Sequence, residues 1–133
     1  KNQEKLLIEK INETLELLNL SEMKNSYARE LSGGQKKLLE LGRSLMKSPK
    51  ILLLDEPLAG VNPKLSEQLL EIISNLNKNG INILMVEHNI DAVMKISERV
   101  VVMAEGKIIS DGKPDFVRSD KNVIEAYLGS SDE

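Results

Sequence analysis

Residues 51–57, ILLLDEP, constrain the fold more than any other stretch. A short, unbroken aliphatic run that ends at turn-forming residues is typical of a strand covered on both faces, as in the parallel sheets of α/β proteins. Asp55 and Glu56 follow at the carboxyl end of this strand. Ligands bind at that edge of open α/β sheets, so the pattern predicts a site that contains both carboxylates. A solvated turn is the other interpretation of an Asp-Glu pair in this place.

The rest of the chain alternates between helical and strand patterns. Apolar residues at helical spacing predict amphipathic helices at residues 5–20, 36–46 and 63–79, and residues 81–86 form a second strand of the buried type. The first helix carries a one-sided stripe that is expected to pack on the core: Leu7, Ile8, Ile11, Leu15 and Leu18. After the second strand the sequence predicts a short helix to residue 97, a hairpin of strands 99–103 and 107–109, short helices to residue 128 and a polar tail, 129–133. This order predicts an α/β fold with a mainly parallel sheet.

Several residues indicate where these elements begin and end. Asn62 before a proline is a favoured helix start, and Gly80 is a favoured helix end. Asn89 or Asp91 can cap the short helix, and Gly106 suits a hairpin turn that needs positive φ.

Composition limits the classes of function. The 133 residues are 41% hydrophobic and 29% charged, which suits one globular domain. A net charge of −3, no basic block and only three aromatic residues argue against nucleic acid as a partner. The lack of Cys excludes disulfides and thiolate metal sites, and is consistent with a reducing compartment. No apolar run approaches the ~20 residues that cross a bilayer, so any membrane role is expected to act through a partner.

A candidate anion site precedes the second predicted helix, at Ser32, Gly33, Gly34 and Gln35. Unpaired N–H groups and the positive end of the helix dipole attract anions, and glycines let an anion approach the backbone. The Ser32 hydroxyl adds a further donor. A simple turn is the alternative for a Gly-Gly pair in this position.

His88 is the only histidine, and it comes just after the second strand, at the edge where Asp55 and Glu56 are expected. Its imidazole could bond a phosphate oxygen or orient a water, although a lone histidine is more often structural or solvent-exposed. Together the three stretches offer an anion cradle, two carboxylates and a polar group beside a terminal phosphate. Phosphoryl transfer uses these parts.

The same residues resemble the motifs of ATP-binding cassette (ABC) ATPases. Residues 31–35, LSGGQ, are similar to the signature motif of that family, residues 51–56 to its Walker B strand with the following glutamate, and His88 to its switch histidine. Order and spacing agree, and the resemblance covers essentially the whole chain, as the C-terminal half of such a subunit. It implies a partial P-loop NTPase fold, with residues 1–48 in the helical signature subdomain and residues 49–133 in the C-terminal part of the ATPase core, with its hairpin and helices.

The resemblance also implies cofactors and residue roles. ATP and Mg²⁺ would be the cofactors, with Asp55 holding Mg²⁺ through water. Glu56 would polarise the attacking water, and His88 would contact the γ-phosphate. The signature residues would bind the γ-phosphate of ATP held by a second ATPase subunit in a head-to-tail dimer: Ser32, Gly33, Gly34 and Gln35.

Three stretches are most similar to the ATPase subunits of branched-chain amino acid importers: residues 58–63, LAGVNP; 86–91, VEHNID; and 123–129, VIEAYLG. This similarity implies a cytoplasmic protein, bound to the inner face of the cell membrane through transmembrane permease subunits. Asn62 and Asn89 depart from the family, because many members have Asp in both places. The departures concern loops that communicate between the two nucleotide sites.

The family's phosphate-binding loop, a Gly-rich turn that ends in Gly-Lys-Ser/Thr, is absent from the sequence. The chain also opens with Lys1 in a helical pattern, so we expect a fragment. Because the phosphate-binding loop is absent, we expect this fragment alone neither to bind MgATP tightly nor to hydrolyse it. An exposed sheet edge is expected to make the fragment self-associate. Two other hypotheses stay open: an ABC-type ATPase in a non-transport role, and a catalytically inert interaction module.

Overall fold

The computed structural model describes residues 2–128. Its elements follow the predicted order: α1 (Asn2–Leu17), α2 (Gly33–Leu45), β1 (Ile51–Asp55), α3 (Pro63–Lys78), β2 (Asn82–Val86), α4 (Ile90–Ile96), β3 (Val100–Ala104), β4 (Lys107–Gly112), α5 (Pro114–Ser119) and α6 (Lys121–Val123). Short 3₁₀ turns at Ser21–Met23 and Ala28–Glu30 link α1 to α2, and a π-helical turn, Ile124–Leu128, follows α6. The predicted polar tail, 129–133, lies outside the described residues.

The chain forms two compact units, Lys1–Glu87 and His88–Glu133. The first unit contains α1 to α3 with β1 and β2, and the second contains the later elements. The boundary that the family resemblance implies, after residue 48, falls inside the first unit and stays a prediction.

β1 and β2 form a parallel pair, with Ile51 opposite Asn82 and Asp55 opposite Val86. Parallel strands that follow each other along a chain need a crossover connection, and α3 supplies it. Buried side chains of α3 form much of the core of this unit: Leu69, Leu70, Ile72, Ile73 and Leu76. β3 and β4 make a separate antiparallel sheet. The predicted α/β class, with a parallel pair and a C-terminal hairpin, is confirmed.

Both predicted ends of α3 are confirmed. The Asn62 side chain accepts a hydrogen bond from the N–H of Leu65 at 2.9 Å, which satisfies one of the free donors at the helix start. Gly80 follows the helix with φ of 92°, a conformation that glycine adopts without steric cost. These two ends return the chain to the sheet beside β1.

The prediction that both strands are covered on two faces is wrong. Ile51, Leu53, Leu84 and Val86 lie on one face of the pair, and between 58% and 71% of each residue's surface is exposed. On the opposite face Leu52 is only 6% exposed. Successive side chains of a strand point to opposite faces, so a strand exposed on one side normally shows apolar and polar residues in alternation. The unbroken aliphatic run lacks that alternation, so the sequence gives no sign that one face of the strand is exposed.

α1 ends three residues earlier than predicted. Asn19 adopts φ of 55°, and the N–H of Leu20 bonds back to the carbonyl of Leu15 at 2.8 Å. A residue in the left-handed region with such a backward bond is a common helix stop, and Asn tolerates that region better than most residues.

The apolar stripe of α1 is buried only beyond its carboxyl end. No residue of α1 is fully buried, and Leu7 and Ile8 are 53% and 48% exposed, so the predicted packing of the whole stripe is wrong. Leu18, just after the helix, is 1% exposed. A Cβ built on Gly42 of α2 would lie 2.6 Å from Leu18 Cδ1. The absence of a side chain at Gly42 therefore lets Leu18 pack closely on α2.

In the second unit the predicted hairpin is confirmed. Glu105 and Gly106 connect β3 and β4 with φ values of 50° and 75°, the two positive values of a type I′ turn. β4 extends to Gly112, three residues beyond its prediction, and the register shifts between Val102 and Met103. Val100 packs with two residues of the following helices, Val117 and Val123, to form the core of this unit.

Asp120 makes the stability of the second unit depend on pH. Its Oδ2 accepts from the Ser110 hydroxyl at 2.6 Å, and its Oδ1 accepts from the N–H of Asn122 at 2.9 Å. Both bonds favour the charged carboxylate, so they hold the pKa of Asp120 below its ordinary value, with the Ser110 bond as the larger cause. The resulting stabilisation is present above the ordinary carboxyl pKa and is lost as pH falls through the lowered one.

We therefore expect Asp120→Asn to destabilise the second unit at pH 7, and the difference from the unchanged chain to shrink as pH falls below the ordinary carboxyl pKa of about 4. Thermal unfolding followed through the NMR signals of Val117 and Val123 measures the effect. Asp115→Asn, at an exposed position of α5, is the matched control. A difference that stays constant over this pH range would contradict the assignment.

Candidate functional site

Ser32 and Gln35 cap the start of α2 with two reciprocal hydrogen bonds. Ser32 Oγ accepts from the N–H of Gln35 at 3.2 Å, and Gln35 Oε1 accepts from the N–H of Ser32 at 2.8 Å. This capping box fixes both side chains and satisfies two free donors of the helix start. Each side chain uses an oxygen as acceptor in the box, so the hydroxyl hydrogen of Ser32 and the NH₂ of Gln35 remain available as donors. The cap thus presents donors to an anion while it stabilises the helix.

The two glycines at the start of α2, Gly33 and Gly34, lie in different environments. A Cβ built on Gly33 meets no atom within 4 Å, so the backbone there is open to an approaching group. A Cβ built on Gly34 would lie 2.2 Å from Leu65 Cδ2 of α3. Gly33 therefore fits the predicted approach of an anion, whereas a side chain at Gly34 would force Leu65 of α3 to move. The sequence predicts an anion-binding role for both glycines. It cannot predict the contact of Gly34 with Leu65, because the two residues are far apart in the chain.

We expect Gly34→Ala to lower the free energy of unfolding of the first unit by about 1–2 kcal/mol, because the new methyl group overpacks against Leu65. Urea unfolding measures this loss. In a Leu65→Ala background the same change is expected to be neutral or stabilising, since Ala favours helix more than Gly does. Gly33→Ala is the matched control. An equal loss in the Leu65→Ala background would show that packing is not the cause.

Asp55 and Glu56 occupy the predicted edge of the parallel pair. Asp55 is the last residue of β1 and is exposed. The N–H of Glu56 donates to the carbonyl of Val86 at 2.9 Å, which extends the ladder one residue past the strand. Glu56 has φ of 45°, a conformation that costs a non-glycine residue about 1–2 kcal/mol. Asn19, Ser48 and Glu105 also have positive φ, but only Glu56 combines this strain with a position at the carboxyl end of a parallel strand, which makes it a candidate site residue.

The loop after β1, residues 57–61, is held by two charged side chains that the motifs do not mark. Glu87 Oε1 accepts from the N–H of Leu58 at 2.7 Å. Lys37 Nζ donates to the carbonyl of Ala59 and lies 3.5 Å from the carbonyl oxygen of Pro57. Glu87 is signalled only by its position directly after β2 and its place in the stretch 86–91, neither of which predicts the bond to Leu58. No local pattern distinguishes Lys37 from its neighbours.

His88 is the first residue of the second unit and is exposed. It follows Glu87 in the chain, whereas the signature residues and the two carboxylates after β1 belong to the first unit. The signature residues, Asp55 and Glu56 therefore lie in one unit. The proximity of His88 to them stays a prediction.

Asn62 and Asn89, which depart from the family pattern, are both helix caps. Asn62 caps α3, as described above, and Asn89 Oδ1 accepts from the N–H of Ala92 at 3.1 Å at the start of α4. Asn89 is thus the cap of the short helix, not Asp91. Asn and Asp are about equally good caps, so the departures leave the local structure of both helices intact.

The carboxylates of the described residues fit a Mg²⁺ ion whose other ligands come from a bound phosphate and from water. Within residues 2–128, no three His, Asp or Glu side chains lie close enough to hold a metal ion by themselves. Mg²⁺ usually takes one or two protein carboxylates and completes its shell with waters and substrate phosphates. An exposed Asp55 at the end of a strand suits that mode of binding.

Comparison with known proteins places these motifs in a family. The family model described as ABC transporter matches residues 1–59, which include the capping box and β1, and a model described as branched-chain amino acid ATP-binding cassette transporter matches residues 107–133. LivG of Archaeoglobus fulgidus, a probable branched-chain amino acid transport ATP-binding protein, is 45% identical over 98% of this chain and 51% of its own length. The chain is a homologue of ABC transporter ATP-binding proteins.

Other relatives agree with this assignment. LptB of Haemophilus influenzae, a lipopolysaccharide export system ATP-binding protein, is 37% identical to this ABC homologue over 91% of the chain and 50% of its own length. The crystal structure of an ATP-binding cassette of an ABC transporter, in its ADP conformation, superposes with a TM-score of 0.83 at 41% identity, over 93% of this chain and 50% of that one. The ABC-ATPase fold class is thus confirmed. The ABC homologue spans about half the length of the curated relatives it matches.

Among residues 2–128, no helix is long and apolar enough to cross a bilayer.

Proposed function

We propose that this chain supplies the signature motif and the Walker B carboxylates of an ATP-hydrolysing subunit that drives import of branched-chain or other amino acids. The proposal rests above all on Asp55 and Glu56, exposed carboxylates at the carboxyl end of a parallel strand, with Glu56 held at φ of 45°. Similarity to LivG supports the transport of branched-chain amino acids.

Each carboxylate has a distinct role in this proposal. Asp55 holds Mg²⁺ through water, and Glu56 orients and polarises the water that attacks the γ-phosphate. His88 donates a hydrogen bond to the same phosphate. Bound MgATP supplies the phosphoryl group and a metal that offsets its charge.

The start of α2 serves a different nucleotide. Ser32, Gly33, Gly34 and Gln35 bind the γ-phosphate of ATP that is held by a second ATPase subunit in a head-to-tail dimer. The donors left free by the capping box and the open backbone at Gly33 support this role. Permease subunits then hold the dimer at the inner face of the membrane, and dimer closure transmits the energy of ATP to them.

The test uses the purified chain and a second polypeptide, the amino-terminal half of Archaeoglobus fulgidus LivG. The chain alone is expected to bind MgATP weakly and to hydrolyse none, because its 133 residues contain no phosphate-binding loop. Calorimetry and phosphate release measure both properties. Hydrolysis that requires both polypeptides supports the proposal. Robust turnover by the chain alone, abolished by Glu56→Gln, would refute the expected inactivity.

An export role is the second candidate, and the similarity to LptB favours it. The membrane proteins that copurify with the complete subunit distinguish import from export. If an active subunit copurifies with no membrane protein, a non-transport ABC ATPase is the better interpretation. If no combination of halves hydrolyses ATP, the chain is better described as an inert interaction module.

A further inference from the structure

The backbone between β1 and α3 is gripped by two side chains from different elements. Lys37, on α2, reaches the carbonyls of Pro57 and Ala59, and Glu87, directly after β2, accepts from the N–H of Leu58 at 2.7 Å. Lys37 therefore binds carbonyls, and Glu87 binds the amide between them. We call the two side chains the loop clamp.

The clamp acts on a loop that is already anchored at its centre. Leu58 is 7% exposed, so its N–H lies in a part-buried region where a donor without a partner would be costly. Glu87 meets this need with a charged acceptor, which makes a stronger bond than a neutral one. Lys37 and Glu87 are both half-buried, so water competes less for their charged groups than it does at a fully exposed pair.

The clamp joins the two candidate motifs. Lys37 lies two residues after Gln35 on the same helix, and the carbonyls it binds follow Glu56 by one and three residues. Ala59 in turn donates its N–H to the carbonyl of Glu56 at 3.1 Å. A continuous path of bonds thus runs from the start of α2 to the backbone of Glu56.

We infer that Lys37 and Glu87 are positioning residues that fix residues 56–59 to α2, so that movement of the signature motif is transmitted to Glu56. Under the proposed function, α2 serves the partner's nucleotide and Glu56 serves the chain's own, so Lys37 links the two sites mechanically. Only this last consequence rests on the proposed function. The clamp itself concerns the described backbone.

The test is amide hydrogen exchange, measured by NMR on the 133-residue chain. Glu87→Ala is expected to speed exchange of the Leu58 N–H about tenfold or more, because that donor loses a charged acceptor. Lys37→Met keeps most of the aliphatic stem but releases the Ala59 carbonyl. The Ala59 N–H, which donates to the carbonyl of Glu56, is then expected to exchange several-fold faster because its turn opens more often. Lys36→Met, at an exposed neighbouring position, is the matched control.

Conservative variants separate positioning from a general loss of stability. Lys37→Arg keeps a charged donor and is expected to restore exchange to near the original rate, whereas Glu87→Gln keeps a neutral oxygen acceptor and is expected to restore it in large part. Exchange at Ile73, in the core of α3, reports global unfolding and is expected to stay unchanged. If both residues hold one loop, the Lys37→Met and Glu87→Ala effects will also be non-additive.

Three results would overturn the inference: unchanged exchange at Leu58 and Ala59 in both variants, an equal increase at Ile73, or no rescue by Glu87→Gln and Lys37→Arg. No nucleotide is present in this experiment. An intact clamp in a chain that never supports hydrolysis would therefore refute the proposed function alone, and a failed clamp beside active reconstituted halves would refute this inference alone.

Discussion

Glutamine in place of Glu56 is expected to lower MgATP hydrolysis about a hundredfold or more when the chain is combined with a half that carries a phosphate-binding loop. The amide has nearly the same size, but it cannot polarise a water as a carboxylate does, and general-base contributions are usually about 10²–10⁴-fold. Nucleotide binding should be retained, since Glu56 acts on the attacking water rather than on the bound phosphates. Steady-state phosphate release and nucleotide titration together measure the two effects.

Glu105→Gln is the matched control for this experiment. Glu105 is also an exposed acidic residue with positive φ, 50° against 45° for Glu56, but it lies in the hairpin turn of the second unit. The control should therefore keep full activity. Equal losses in the two variants would mean that the effect comes from the backbone conformation or from net charge, and the role proposed for Glu56 would be wrong.

The chain alone is expected to self-associate through the open edges of β1 and β2, with their exposed apolar face covered in the same contact. Leu53 and Leu84 lie directly opposite each other and are 71% and 62% exposed, and the outer edge of each strand offers unpaired backbone groups in the described sheet. A second copy of the same face can cover these side chains. Replacing Leu53 and Leu84 by Ser removes four leucines from such a dimer, which should weaken association about a hundredfold or more.

Sedimentation over a wide range of concentrations measures this association. Ile108→Ser is the matched control, because Ile108 is 62% exposed, like Leu84, but belongs to β4 in the second unit. Addition of a phosphate-loop half is expected to compete with self-association if it covers the same face. A clean monomer at high concentration would refute the prediction, and an equal effect of Ile108→Ser would move the interface elsewhere.

The order of elements and the ends of α3 and the hairpin are predictable because their signals are local. Asn62 and Gly80 act through their own backbone and immediate neighbours, and the same holds for Gly106. The exposed face of β1 and the exposed part of α1 are not predictable in this way. Leu53 and Leu7 look like core residues in the sequence, and only the arrangement of distant elements decides whether something covers them.

In the candidate site, too, only the residues with local signals can be predicted from the sequence. Ser32 and Gln35 can be predicted as a pair because a capping box has a fixed spacing, and Asp55 with Glu56 because they end a strand. Lys37 escapes sequence reasoning because it acts 20 or more residues away in the chain, on carbonyl groups that any residue would supply. Backbone partners leave no mark on the sequence, so such positioning residues emerge only from the fold.

The left-handed conformation of Glu56 has a consequence for how this gene can change over time. Glycine relieves the steric cost of that conformation, and a single base change converts a glutamate codon into a glycine codon. One mutation would therefore ease the backbone and remove the carboxylate that hydrolysis is proposed to need. In a gene copy that is no longer under selection for ATP hydrolysis, this change would be tolerated. Glycine at position 56 in a related sequence would then indicate that hydrolysis had been lost in that lineage.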